Sequence, residues 1–171
     1  MSRLRNISIL LALSINFGFA QETPCKCCSV EYHQFDFWIG EWDVFNPKGV
    51  LVGTNKIETI QDSCGLKENW KGQKGGSGTS YNFYDRKTER WNQLWLDNNG
   101  GNLQLTGKFS DGSMVLESRE LYSEKKKTAY RERITWTGNA DGTVRQHWQR
   151  TTDDGKTWAT VFDGLYKRKQ K

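Results

Sequence analysis

From residue 40 onward the chain alternates apolar and polar side chains in short runs, and turn chemistry returns at intervals of about 8–14 residues, the spacing of a sandwich or barrel. The turn candidates are Asn46-Pro47-Lys48-Gly49, Asp62-Ser63-Cys64-Gly65, Gly75-Gly76, Asp85-Arg86-Lys87-Thr88, Asn98-Asn99-Gly100-Gly101, Asp111-Gly112, the stretch around Lys125, Asp141-Gly142 and Asp153-Asp154-Gly155. Glycine, asparagine and aspartate recur there because hairpin turns need positive φ. The intervening segments predict ten strands, 40–45, 50–61, 66–73, 78–85, 89–97, 102–109, 113–122, 128–137, 143–151 and 157–168.

Every connection is short enough for an up-and-down meander. An open sheet of that width would leave two long edges free to aggregate, and closure removes them. The expected fold is therefore all-β, a ten-stranded antiparallel up-and-down barrel. Ahead of it, Glu31 to Ile39 carries Phe35 and Trp38 at helical spacing and predicts a short helix plugging one end.

Period 2 assigns the strand faces. Trp91, Gln93, Trp95 and Asp97 share one face; Asn92, Leu94 and Leu96 share the other. Tyr130, Glu132, Ile134 and Trp136 oppose Arg131, Arg133 and Thr135, and Val144, Gln146 and Trp148 fall together. Tryptophan beside glutamine or arginine on mixed faces suggests an aromatic lumen that also hydrogen-bonds. The expected ligand-binding residues are Glu68, Trp70, Asn82, Gln93, Trp95, Arg133, Gln146 and Trp148. A packed core with a few satisfied polar groups fits the same pattern, and both readings stay open here.

The N-terminus changes the picture of compartment. Arg3 and Arg5 precede an apolar run from Ile7 to Ala20 that ends Gly18-Phe19-Ala20, the layout of a cleavable secretory signal. The run is shorter than a membrane span, and polar residues follow it. Cys25 follows Pro24 and so lacks the small residue that precedes a lipoprotein's acceptor cysteine. We expect residues 1–20 to be a signal peptide, 21–34 a Cys-rich arm and 35–171 the barrel domain. The product is expected to be periplasmic or secreted, with no stable membrane insertion after cleavage. Removal of the leader leaves about 150 residues, a usual single-domain size.

Three of the four cysteines, Cys25, Cys27 and Cys28, cluster in that arm, and Cys64 lies after the second strand. In an oxidising compartment such thiols pair. A bridge from the cluster to Cys64, assigned to Cys28, would staple the arm to the barrel, although four cysteines allow three full pairings. The rival is a soft-metal site at Cys-x-Cys-Cys; no metal ligand is assigned.

The formal net charge is +5, but Arg3 and Arg5 belong to the leader, and much of the remaining excess sits in Lys125-Lys126-Lys127 and the tail from Lys167. A nucleic-acid binder spreads its cations over a face interleaved with aromatics, so no nucleic-acid partner is expected.

Phe35-Asp36-Phe37-Trp38-Ile39-Gly40-Glu41-Trp42-Asp43-Val44 resembles the opening of a family of small lipocalin-like, calycin-type bacterial proteins, mostly secreted and without assigned function. The likeness continues through Cys64 to Trp70, Gly78 to Asp85, Trp91 to Asp97, Arg133 to Trp136 and Val161 to Tyr166. It implies a calycin-type barrel and no particular activity. Gly40-x-Trp42 is similar to the lipocalin signature, in which the tryptophan closes the barrel floor beneath a basic residue of the last strand. Arg168 or Lys167 would fill that role.

Trp38-Ile39-Gly40-Glu41-Trp42 also resembles the start of nitrobindins, which hold haem through a histidine, but their glycine-rich continuation is missing. Only His33 and His147 are available as iron ligands, and His147 has the opposite parity from Gln146 and Trp148. Thr151 to Trp158 resembles the Asp-box hairpin of sialidase propellers. A single copy reads as a tight turn, not as a glycosidase.

No catalytic residue is assigned. Two histidines make a nucleophile-base pair hard to assemble. Glu68 with Asp97 or Glu132 would supply paired carboxylates, and an isomerase- or cyclase-type barrel would use Glu68, Arg133 and Gln146. The leading expectation is a binding protein for a small, partly apolar molecule in the lumen. Haem binding and enzyme action are the alternatives, and the cofactor is left unknown.

Overall fold

The structure is a computed structural model that describes residues 25–170; the expected signal peptide lies outside the described residues. The strands are β1 (Gly40–Phe45), β2 (Leu51–Ile60), β3 (Gly65–Gly72), β4 (Ser77–Asp85), β5 (Arg90–Asp97), β6 (Asn102–Ser110), β7 (Ser113–Glu117), β8 (Leu121–Ser123), β9 (Thr128–Gly138), β10 (Val144–Thr151) and β11 (Ala159–Arg168). All pairings are antiparallel, and β7 and β8 lie end to end along β9 as one interrupted stave. With β9 on β10, β10 on β11 and β11 on β1, ten staves close into a barrel. Trp42 faces Arg168 and Val44 faces Tyr166 across the seam.

The expected strand 113–122 is broken in the middle. Glu117 stands opposite Arg133 but Leu121 stands opposite Tyr130, so residues 118–120 oppose only 131 and 132. This is a one-residue bulge. Ser118 fills the gap, its hydroxyl accepting the Glu132 N–H at 2.9 Å. The extra residue reverses parity, turning Leu121 onto the core while Tyr122 is left exposed.

The turns follow their chemistry. At Asp111-Gly112 both residues have positive φ, 51° and 76°, which is the two-residue type I′ geometry. In the Asp-box-like hairpin Asp153 accepts from Thr151 Oγ1 at 2.7 Å, Thr157 Oγ1 at 2.6 Å and Thr157 N at 2.9 Å. Those donors hold its carboxyl down at about 2.

The short helix expected at 31–39 is present as two consecutive 3-10 turns, Val30–His33 and Asp36–Trp38. Phe35 between them sits at φ −108°, ψ 6°, which breaks helical continuity and lets both Phe35 and Trp38 point into the barrel end. Phe35 stacks on Trp38 with centroids 4.9 Å apart and meets Trp136 and Trp91 edge-on at 5.3 and 5.6 Å. Such aromatic pairs add about 0.5–1.5 kcal/mol each beyond their burial. The plug aromatics pack into the hydrophobic core at this end of the barrel.

Trp42 is fully buried beneath the plug, its indole N–H donating to Trp38 O at 2.9 Å. Arg168 lies over it, guanidinium carbon 4.0 Å from the ring, and donates to Ile39 O at 2.6 Å. Lys167, the other candidate for this role, lies over Phe45 instead.

The arm is tied down by Cys27–Cys64, and Cys28 pairs with Cys25. The expected Cys28–Cys64 bridge is therefore corrected by one position. Cys27 is buried and Cys28 exposed, so the inward-facing thiol meets the turn while its neighbour closes a local loop. All four thiols are used in disulfides, which removes the thiolates a soft metal would need.

Candidate functional site

Opposite the plug, the barrel is hollow. A cavity of about 270 Å³ is lined by Glu68 and Trp70 of β3, Gln93 and Trp95 of β5, Leu103 of β6, Ile134 of β9, Gln146 and Trp148 of β10, and Val161, Phe162 and Tyr166 of β11. These positions lie between the middle of the strands and the rim where β3 and β5 end and β11 begins.

Glycines leave room for the aromatic walls. A Cβ on Gly53 would fall 2.4 Å from the Trp70 ring, one on Gly78 would fall 2.2 Å from the Trp95 ring, and one on Gly164 would fall 2.6 Å from Phe162. Each ring occupies the space above a bare Cα on the wall. The bulk that would otherwise fill the lumen is spread around its perimeter.

The floor is a polar layer. Glu68 is 4% exposed and accepts from Asn55 Nδ2 at 2.7 Å and from Ser80 Oγ at 2.6 Å. Asn82 Nδ2 donates to Ser80 Oγ at 2.9 Å, and Gln93 Nε2 donates to Asn82 Oδ1 at 2.8 Å. The Tyr166 hydroxyl donates to Gln146 Oε1 and accepts from Asn55 Nδ2 at 3.3 Å. Asn55 Oδ1 is buried with no partner.

Burial raises the pKa of Glu68 above the ordinary carboxyl value, because removing the anion from water outweighs the two donors from Ser80 and Asn55 that favour it. Burial likewise holds the Tyr166 hydroxyl well above the usual phenol range, and the nearby Glu68 adds to the effect. A second carboxylate, Glu132, is 2% exposed and fully engaged: Arg150 Nε donates to it at 2.8 Å and Trp148 Nε1 at 2.6 Å. Its charge is neutralised, and the pair anchors the Trp148 indole.

Six of the eight expected residues thus meet in one place: Glu68, Trp70, Gln93, Trp95, Gln146 and Trp148. Asn82 is buried one layer behind, positioning Gln93 and Ser80 without lining the cavity. Arg133 is corrected. It lies on the outer face, 3.9 Å over the Trp158 ring and bonded to Gln149 at 3.0 Å. The reason is parity, since Ile134 and Trp136 are buried and every odd position of β9 turns outward. With Arg133 outside, the cation required by the enzyme arrangement of Glu68, Arg133 and Gln146 is missing from the lumen. Asp97 sits at the rim, where Oδ1 accepts the N–H groups of its own turn from Asn99 and Gly101.

Asn55, Ser80, Phe162 and Tyr166 were not singled out from the sequence. Phe162 and Tyr166 share a parity with Gly164, and that pattern was their available signal. Ser80 shares its parity with Asn82 on β4, which was its available signal, whereas Asn55 is a small polar residue of ordinary appearance. His147 points outward to Thr160 at 3.0 Å, and His33 pairs with Asp36 on the surface. Neither of the histidines considered for iron faces the cavity.

The chain matches no protein-family model, and no curated protein is significantly similar to it.

Proposed function

We propose that the protein is an exported, lipocalin-like barrel that binds a small, partly apolar molecule in its lumen. The observation that carries this reading is the cavity of about 270 Å³ with three tryptophans, Phe162 and aliphatic side chains above a polar floor. Concave, largely apolar chambers with a few convergent polar groups are the usual form of small-molecule sites. An engineered apolar cavity of 150 Å³ accepts benzene, so this one suits a guest of about ten non-hydrogen atoms.

Export agrees with the leader pattern of residues 1–20, with two disulfides, and with the fact that no helix among the described residues is long and apolar enough to cross a membrane. The calycin-type resemblance agrees with the closed antiparallel barrel.

The test is native mass spectrometry of protein purified from the periplasm without refolding, compared with a Trp95→Ala, Trp148→Ala variant. The expected result is a non-covalent mass increment on the natural protein that is lost from the variant. A homogeneous unliganded protein that also fails to respond to small aromatic probes by tryptophan fluorescence would remove the reading.

A further inference from the structure

Donors and acceptors at the cavity floor are out of balance. Glu68 contributes the only carboxyl group among the lining residues, and no lysine, arginine or histidine lines the chamber with it. Its partners, Asn55 and Ser80, are neutral. The donors of the layer are largely committed: Asn55 Nδ2 to Glu68 and Tyr166, Ser80 Oγ to Glu68, Gln93 Nε2 to Asn82, and the Tyr166 hydroxyl to Gln146. Asn55 Oδ1 remains an unpartnered buried acceptor beside Glu68. The walls above present the faces and edges of Trp70, Trp95 and Trp148, rings whose π-systems attract cations.

We infer that this cavity selects an organic cation, a primary or secondary ammonium on a compact aromatic or branched apolar body, with its nitrogen paired to the Glu68 carboxylate and its body among the tryptophans. The inference deepens the binding reading above and rests on it.

An ammonium supplies the positive charge that the lining lacks, with N–H donors directed at the Glu68 carboxyl, while the free amide N–H of Gln146 remains the floor's own donor. A neutral alcohol brings one donor and no charge. A carboxylate guest brings no counter-charge, and with Glu68 ionised it would set two anions together with no cation to offset them.

The charged and titratable groups around Glu68 keep the reading specific. From β2 and β4 it meets Asn55 and Ser80, which do not titrate, and from β11 Tyr166, whose hydroxyl burial keeps neutral. From β5 and β10 the floor receives Gln93 and Gln146. Glu132 on β9 is already joined to Arg150 on β10. In the empty protein, burial favours the protonated acid at Glu68. An ammonium beside the carboxyl favours its ionised form, so binding releases a proton wherever the free protein holds the acid.

The test uses 2-phenylethylamine, its neutral isostere 2-phenylethanol and the anion phenylacetate, titrated into the disulfide-intact protein by tryptophan fluorescence and calorimetry. The amine is expected to bind more tightly than the alcohol, and phenylacetate weakest. Glu68→Gln keeps the side-chain shape and should cost the amine about 30-fold or more, the scale for removing one partner of a buried ion pair. The alcohol should change by less than about 3-fold. Calorimetry in two buffers of different ionisation heat should show proton release on amine binding that fades as pH rises past the Glu68 pKa.

Alcohol binding as tight as amine binding, or an amine affinity indifferent to Glu68→Gln, overturns the cation inference while leaving the cavity reading in place. If neither the amine nor the alcohol binds, both fall. Circular dichroism of the variant, expected to match the parent, separates lost recognition from lost folding.

Discussion

The six-membered ring of Trp70 fills the space that a side chain on Gly53 would need, 2.4 Å from where its Cβ would stand. Trp95 has the same relationship to Gly78 at 2.2 Å. The cavity exists because its largest side chains are laid against glycine.

Gly78→Ala should therefore drive the Trp95 indole toward the lumen. The added methyl also approaches Leu96 O at 2.7 Å, so a loss of about 1–3 kcal/mol from overpacking is expected. Affinity for any lumen probe should fall, and the tryptophan emission should shift. Gly76→Ala, with no atom within 4 Å of its Cβ, is the control and should stay within about 0.5 kcal/mol of the parent. Denaturant unfolding and probe titration read both effects.

Arg168 secures the closed end by covering Trp42 and reaching Ile39 O across the seam. Its side chain is exposed, so Arg168→Ala should lower stability by only about 1–2 kcal/mol, the scale of an exposed cation–π contact with one solvent-screened hydrogen bond of ordinary strength. Equilibrium urea unfolding measures the difference. A loss near zero would mean that β11 is held by its ladder alone.

The two disulfides should be unequal. Cys27–Cys64 spans 37 residues and ties the arm to the turn before β3, whereas Cys25–Cys28 spans 3. Loop-closure entropy gives about 4 kcal/mol for the first and roughly 1–2 for the second. The long loop crosses a turn in which Gln61, Asp62 and Ser63 all take positive φ. Thermal unfolding of the paired serine variants, Cys27→Ser with Cys64→Ser against Cys25→Ser with Cys28→Ser, should show the larger fall for the first pair.

Glu68 sets a pH dependence on the basic side of its unfolded value. Its folded pKa is raised, so its contribution to stability is complete below about 4.5, the ordinary value, and is lost as pH rises through the higher folded pKa. Glu68→Gln removes that titration. The variant should unfold with a flatter stability profile above pH 4.5 and should gain on the parent toward neutrality.

Asp153 behaves in the opposite sense. Its folded pKa is lowered to about 2 from 3.8, so its stabilisation is present above 3.8 and is lost as pH falls through about 2. Asp153→Asn should lower stability at neutral pH, and the gap to the parent should close below about pH 2. The acid limb of an unfolding series reads this directly.

Barrel, strand count and turn positions were legible in the chain because each is written locally. Period 2 sets strand faces, and residue pairs such as Asp111-Gly112 set hairpins without help from distant residues. Period 2 puts Trp91, Gln93 and Trp95 on one face and Gln146 and Trp148 on another, and the structure turns both sets inward. The error at Arg133 arose where both faces of a strand carried aromatic or hydrogen-bonding groups. Burial of Ile134 and Trp136 then decided the parity. The bulge at 118–120 has no local mark, because an extra residue in one strand is visible only against its partner.

The sequence by itself determined a meander of ten staves, the aromatic plug near Phe35 and the stock of tryptophan and amide side chains, since these depend on propensity and spacing within single segments. Only the tertiary structure decided which cysteine reaches Cys64, that Trp70 and Trp95 lie over Gly53 and Gly78, and that Glu68 stands buried without a cation. Those are relations between strands, and they exist only once closure fixes which residues face one another.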